Sequence, residues 1–81
     1  MNKIIITGGS GFIGTNLLQF YMNKGCNVVN IDKSLPKMKE YLINWKGINI
    51  LNYNALKSEI LSFQPDFVIY KKLKGIQIIR I

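Results

Sequence analysis

The 81-residue chain contains no histidine and only one cysteine. Without histidine, no Ser-His or Cys-His pair can form, so Cys26 has no base to activate it as a nucleophile. A single cysteine also excludes an internal disulfide, and a reduced, cytoplasmic setting is the simplest expectation. We therefore expect Cys26 to be a small packing residue, and we predict no metal site.

Long apolar runs are absent as well. Uninterrupted apolar stretches reach only a few residues, far short of the ~20 that cross a bilayer, and the first residues do not form a signal peptide. With 48% hydrophobic and 19% charged residues, the composition is typical of a globular chain. At this length we expect one small domain with a limited core.

Acidic residues are scarce, at 4 against 11 lysines and arginines, which gives a net charge of +7. Such an excess raises the alternative of a basic module that binds nucleic acid or another anionic surface. The basic residues are scattered, however, and cluster only at Lys71, Lys72, Lys74 and Arg80. Nucleic-acid binding is therefore the weaker alternative, and a steep salt dependence of oligonucleotide binding would reveal it.

Glycine is concentrated near the start of the chain. Three isoleucines lead into residues 7–14, which read Thr-Gly-Gly-Ser-Gly-Phe-Ile-Gly. The spacing of Gly8, Gly11 and Gly14 is typical of the turn from strand to helix in dinucleotide-binding folds. There, glycines allow a sharp reversal, a close approach of the backbone to a pyrophosphate, and tight packing of the helix.

The residues after this turn fit the same motif. Apolar residues at helical spacing predict a helix that stops at Gly25, and residues 28–31 predict a second strand. That strand ends in Asp32, eighteen residues beyond Gly14. An acid there can accept hydrogen bonds from the ribose hydroxyls of adenosine.

Strands and helices alternate along the chain. We expect strands near 3–7, 27–31, 47–51 and 66–70, and helical segments at 12–24, 37–45 and 54–63. This alternation predicts a partial Rossmann-like, three-layer α/β fold with a parallel sheet of order 3-2-1-4. The first two helical segments would cover one face and the third the other, with Tyr41 and Trp45 as packing residues.

Residues 7–14 resemble the opening of extended short-chain dehydrogenases/reductases, a family that includes NAD-dependent nucleotide-sugar epimerases and dehydratases. The resemblance continues more weakly through residues 48–52, similar to a family strand that ends in two aspartates, and 65–70, similar to its fourth strand. It implies that residues 1–70 form an NAD(P)-binding Rossmann half-domain. It also implies a nucleotide-sugar substrate, but only for a full-length relative.

The resemblance also implies a set of cofactor-binding residues: Gly8, Gly11, Phe12, Ile13, Gly14, Asp32, Lys33, Asn49 and Ile50. The backbone N–H groups of Phe12 and Ile13 would hold the pyrophosphate. Asn49 stands where the family usually has an aspartate near the adenine, and Ile50 would pack beside the ring.

The same resemblance makes NAD the expected cofactor. Asp32 would accept bonds from the ribose hydroxyls, and its carboxylate favours NAD over NADP because a 2′-phosphate would meet a negative charge. The neighbouring Lys33 would weaken this preference for NAD over NADP.

No catalytic residue is predicted. Family members use a Tyr-x-x-x-Lys pair on a later helix, and the two matches here, Tyr53 with Lys57 and Tyr70 with Lys74, fall in other contexts and are expected by chance. We therefore expect the chain to be inactive alone.

Residues 71–81 depart from the family, which has small residues after the fourth strand where this chain has three lysines in four positions. Two interpretations stay open. The tail could come from a shifted reading frame in a truncated family member. Alternatively, residues 71–75 turn the chain and residues 76–81 add an antiparallel edge strand.

One face of the predicted sheet has a single covering helix, although parallel sheets are normally covered on both faces. An exposed apolar patch is therefore expected, which self-association or a partner subunit would cover. This leaves a non-catalytic or partner-completed nucleotide-binding module as a further alternative.

Overall fold

One sheet with helices on both faces makes up the computed structural model, which describes residues 2–72 and 75–81. Its strands are β1 (Lys3–Thr7), β2 (Asn27–Ile31), β3 (Trp45–Lys46), β4 (Phe67–Lys72) and β5 (Gly75–Arg80), and its helices are α1 (Phe12–Asn23), α2 (Tyr53–Phe63) and a 3₁₀ helix over Lys39–Asn44. The order is β3-β2-β1-β4-β5, with β1 to β4 parallel and β5 antiparallel to β4. The predicted Rossmann-like α/β fold and the edge strand are both confirmed.

The strand β1 lies at the centre of the sheet and is buried on both sides. Its three isoleucines are each no more than 2% exposed. Such a continuous apolar run is typical of a parallel strand that is covered on both faces. Because the apolar residues of β1 point alternately to the two faces, β1 contributes to two separate cores.

The first core lies between the sheet and α1. Leu18, fully buried on α1, packs in one cluster with Ile4, Ile6 and Ile69, and Tyr41 of the 3₁₀ helix joins the same cluster. The predicted placement of both helical segments on one face is therefore correct. We call this side of the sheet the α1 face.

The second core lies on the opposite side, which we call the α2 face, where Leu56 and Ile60 pack against Ile5 and Ile31. Helix α2 begins after Asn52, whose side-chain oxygen accepts a bond from the Ala55 N–H at 3.2 Å. It ends at Gln64, which adopts the left-handed conformation with φ 54° and precedes Pro65. The expected end of this helix is confirmed.

The predicted third strand over 47–51 is wrong. The strand β3 covers only Trp45–Lys46, where Trp45 pairs with Asn30, and residues 50–51 form a turn. Asn49 explains the difference, because its side-chain oxygen accepts a bond from Leu51 N–H at 2.9 Å and its carbonyl accepts one from Asn52 N–H at 2.8 Å. Asparagine bonded to the backbone in this way favours a turn over a strand.

The edge strand β5 leaves apolar side chains exposed on both faces. Ile78 pairs with Ile69 on the α1 face, and Ile79 pairs with Val68 on the α2 face. Their exposed fractions are 48% and 41%. Leu73 and Lys74, inside the predicted turn, lie outside the described residues. Exposed apolar side chains thus lie on both faces of this edge, whereas the patch was expected from the face with a single covering helix.

Within residues 2–72 and 75–81, no helix is both long enough and apolar enough to cross a membrane.

Candidate functional site

The glycine-rich turn connects the carboxyl end of β1 to the start of α1. Gly8 has φ +74°, a conformation that side chains disfavour, and its N–H donates to the Ile31 carbonyl at 2.9 Å. Gly14 is buried against the turn, and a Cβ there would lie 2.6 Å from Gly9 Cα. The first glycine therefore makes the reversal, and the last one lets the helix approach its own strand.

The first turn of α1 presents free backbone donors. Among the described residues, the N–H groups of Phe12, Ile13 and Gly14 have no hydrogen-bond acceptor, and the first helical bond runs from Thr15 N–H to the Gly11 carbonyl at 2.8 Å. This turn contains no acidic residue, and the capping residue Gly11 has no side chain to satisfy these donors. Free N–H groups and the helix dipole together favour an anion at this point.

Asp32 follows β2 and faces the glycine-rich turn. Its Oδ2 accepts a bond from the Ser10 N–H at 3.1 Å, and its Oδ1 accepts one from the Ser34 N–H at 2.9 Å. The Trp45 indole N–H donates to the Asp32 carbonyl at 2.8 Å. Because each carboxylate oxygen can accept a second bond, this held carboxylate can still receive hydroxyl donors.

Two cavities open at this edge of the sheet, and Gly8 borders both. The Asp32-side cavity, as we call it, has a volume of about 340 Å³ and is lined by Gly8, Ile31, Asp32, Lys33, Ile48, Asn49, Ile50 and Leu51. The helix-side cavity has a volume of about 240 Å³, and its lining includes Gly8, Gly11, Phe12, Ile13 and Gly14. Every residue of the predicted cofactor set thus lines one of two adjoining cavities.

Some members of the set could contribute only in part. The Phe12 side chain is 75% exposed, so its expected role rests on the backbone N–H alone. The Asn49 side-chain oxygen already accepts the bond from Leu51, which leaves one lone pair and the amide donors for a base.

Asn30 is a residue that the sequence reasoning missed. It is fully buried in β2, its Oδ1 accepts a bond from Gly9 N–H at 2.8 Å, and its Nδ2 donates to the Ser10 hydroxyl at 3.2 Å. The Ser10 hydroxyl in turn donates to the Ser34 carbonyl at 2.8 Å. The sequence feature that could have identified Asn30 is its polar side chain inside an otherwise apolar strand, two positions before Asp32.

Neither of the two Tyr-x-x-x-Lys matches is seen as a complete pair at the two cavities. Tyr53 is the first residue of α2 and is 69% exposed, and with Lys57 it lines a different cavity. Tyr70 does line the helix-side cavity, while Lys74 lies outside the described residues. No group of three metal-ligating side chains occurs in the described part of the chain.

Comparison with known proteins agrees with this geometry. Residues 4–74 match the model of the NAD dependent epimerase/dehydratase family. The chain belongs to this family. Its resemblance to the extended short-chain dehydrogenases/reductases is thereby confirmed.

Individual relatives in this family are much longer than the chain. The chain is 34% identical over 77 residues to a Sinorhizobium fredii protein named "Probable dTDP-glucose 4,6-dehydratase", covering 84% of the chain and 22% of that protein. It is 31% identical over 80 residues to dTDP-glucose 4,6-dehydratase of Haemophilus influenzae, covering 86% of the chain and 24% of that protein. The chain therefore spans about a quarter of these relatives.

A solved structure supports the fold. A short-chain dehydrogenase from Leptospira borgpetersenii with bound NAD⁺ superimposes with a TM-score of 0.76 at 28% identity, covering 88% of this chain and 31% of that one. The sheet and glycine-rich turn described above therefore match part of a longer solved chain.

Proposed function

We propose that this chain binds NAD at the carboxyl edge of β1 and β2, as the cofactor-binding part of a nucleotide-sugar epimerase or dehydratase, and completes no reaction by itself. The observation that carries the proposal is a start of α1 with three unpartnered N–H groups, in a glycine-rich turn whose Ser10 N–H donates to the Asp32 carboxylate. Both features meet where the strand order reverses, with β2 on one side of β1 and β4 on the other. Open α/β sheets bind their ligands in that crevice.

The cofactor is proposed to lie across Gly8, between the two cavities. Its adenosine would occupy the Asp32-side cavity, with ribose hydroxyls donating to Asp32 and the base between Asn49 and Ile50. The pyrophosphate would accept bonds from the N–H groups of Phe12 and Ile13.

NAD is preferred over NADP in this proposal. Asp32 is partly buried, and its carboxylate accepts bonds from the Ser10 N–H of the turn and from the Ser34 N–H, so it cannot easily swing away from a 2′-phosphate. Lys33 borders the same cavity and would reduce the discrimination without reversing it.

The chemistry of the longer relatives is proposed for this chain only as part of a larger enzyme. When bound, the cofactor would supply transient oxidation of a sugar alcohol, by hydride transfer from the carbon that bears the hydroxyl. Residues 1–70 would contribute the cofactor site to that reaction, and groups outside this sequence would bind the sugar and move its proton.

Calorimetric titration with NAD, NADP and ADP-ribose tests the assignment. We expect NAD to bind more tightly than NADP, and Asp32→Ala to remove this difference, whereas Glu40→Gln, which removes an exposed carboxylate on the 3₁₀ helix, should retain it. Equal NAD and NADP affinities in the unaltered chain, or identical binding by Asp32→Ala, would contradict the ribose role. Tight oligonucleotide binding with a steep salt dependence, in the absence of NAD binding, would favour the basic-module alternative.

A partner-completed module is the second candidate, because β5 exposes isoleucines on both faces of the sheet. In that case the nucleotide affinity would rise with protein concentration, because a second subunit would then cover this edge. For a self-sufficient domain, the calorimetric affinity should not depend on protein concentration.

A further inference from the structure

An exposed basic residue, Lys71, borders the helix-side cavity and belongs to neither the glycine-rich turn nor the expected cofactor set. Lys71 lines this cavity together with Ile76, Phe12 and Ile13. Alternation along β4 places Lys71 on the same face as Ile69, which is buried beneath α1. The lysine thus lies near the carboxyl end of β4 and borders the same cavity as the first turn of α1.

The edge strand β5 helps to define this cavity. Ile76 pairs with Lys71 in the β4–β5 ladder, and both residues line the cavity. A dinucleotide that extends beyond the start of α1 within this cavity would approach Lys71 and Ile76.

The charge of Lys71 discriminates between the two halves of a dinucleotide. A lysine ammonium attracts phosphate oxygens as a point charge. The nicotinamide ring of oxidised NAD is itself cationic, so the same ammonium repels it. No acidic residue in the first turn of α1 competes for the lysine. An anion that ends at the second phosphate is therefore the better occupant.

We propose that this site prefers a nucleoside diphosphate, ADP or the ADP end of ADP-ribose, over intact oxidised NAD, with the Lys71 ammonium paired to the second phosphate. The proposal rests on the nucleotide site proposed above and names the ligand class that fits it best. AMP, which lacks the second phosphate, gains nothing from Lys71. Reduced NAD, whose ring is neutral, is repelled less than oxidised NAD.

Calorimetric titration of AMP, ADP, oxidised NAD and reduced NAD at one salt concentration tests the proposal. In the unaltered chain, ADP should bind at least about three-fold more tightly than oxidised NAD, and reduced NAD should bind between the two. Lys71→Met should weaken ADP binding about three- to ten-fold, leave AMP unchanged, and narrow the gap between ADP and oxidised NAD. Lys71→Arg, which keeps the charge, should retain most of the ADP affinity.

Lys57→Met provides the matched control, because it removes the same charge from an exposed position on α2. Oxidised NAD that binds more tightly than ADP would overturn the preference while leaving the proposed function intact. Equal weakening of AMP and ADP by Lys71→Met, or the same loss in Lys57→Met, would overturn the role of Lys71. If none of the four nucleotides binds, both this inference and the proposed function fail.

Discussion

The buried side-chain oxygen of Asn30 accepts a hydrogen bond at 2.8 Å from the backbone N–H of Gly9, twenty-one residues earlier in the chain. This bond joins β2 to the glycine-rich turn. The other end of the same amide donates to the Ser10 hydroxyl, and the Ser10 N–H donates to Asp32. The turn that would receive the pyrophosphate and the acid that would receive the ribose are thus linked through one hydrogen-bonded network.

Replacement of Asn30 by alanine should destabilise the fold. The Gly9 N–H and the Ser10 hydroxyl would each lose a buried partner, and an unsatisfied buried group costs about 1–3 kcal/mol. Chemical denaturation should therefore show a free energy of unfolding lower by about that amount. Asn27→Ala, at an exposed position on the same strand, should change it by less than about 0.5 kcal/mol. Similar losses in the two variants would mean that the Asn30 bonds contribute little.

Alanine at Gly14 and at Gly11 should have different effects. A Cβ at Gly14 would clash with the backbone of Gly8 and Gly9, which cannot move without breaking the turn, so we expect a loss of about 1–3 kcal/mol in unfolding free energy. A Cβ at Gly11 would meet only the Gly8 carbonyl oxygen, at 3.6 Å, and the φ of −80° suits alanine.

Gly11→Ala should therefore lose less unfolding free energy than Gly14→Ala, about 1 kcal/mol or less because alanine is a poorer N-cap than glycine. It should bind ADP more weakly, because its Cβ would stand in the helix-side cavity. Denaturation and calorimetry on both variants check this difference. A stable Gly14→Ala protein, or a Gly11→Ala protein with full ADP affinity, would contradict it.

The apolar patch at the edge strand should bind a hydrophobic dye. Ile79 and Ile81 line a cavity of about 390 Å³ on the α2 face, together with Leu56, Ile60 and Val68. Dye fluorescence should fall by roughly half when Ile79 and Ile81 are both replaced by glutamine, since apolar area in the cavity is lost. Ile43→Gln, at an 88% exposed position on the 3₁₀ helix, should leave it unchanged.

Sedimentation completes this test, because self-association would cover the patch and reduce dye binding as the protein concentration rises. A strictly monomeric chain that binds no dye would contradict the expectation of an available apolar surface.

Local patterns were enough to predict much of the fold. Consecutive isoleucines at residues 4–6 can be buried on both sides only in a covered strand, and Gly25 stops α1 because its φ of +82° suits glycine. The prediction of the third strand over 47–51 was wrong, also for a local reason. The apolar run around Asn49 has the composition of a strand, but the asparagine bonds to its own neighbours and makes a turn.

The residues of the candidate site also fall into those that the sequence could predict and those that it could not. Gly8, Gly14 and Asp32 could be selected from the sequence because their spacing follows from the lengths of one helix and one strand. Asn30 and Lys71 could not, because their importance depends on which side chains face them across the sheet. Strand alternation places Asn30 on one face or the other, but it does not say that the Gly9 N–H lies there without a backbone partner.

By itself, the sequence determined the alternation of strands and helices, the position of the glycine-rich turn and the strand that ends in Asp32. Each of these features depends on residues that are close together in the sequence. Only the tertiary structure decided that β5 joins the edge beside β4, that Asn30 bonds to the turn, and that Lys71 borders the helix-side cavity. The physical reason is range: backbone preferences act between neighbours, whereas buried hydrogen bonds and cavity linings join residues that are distant along the chain.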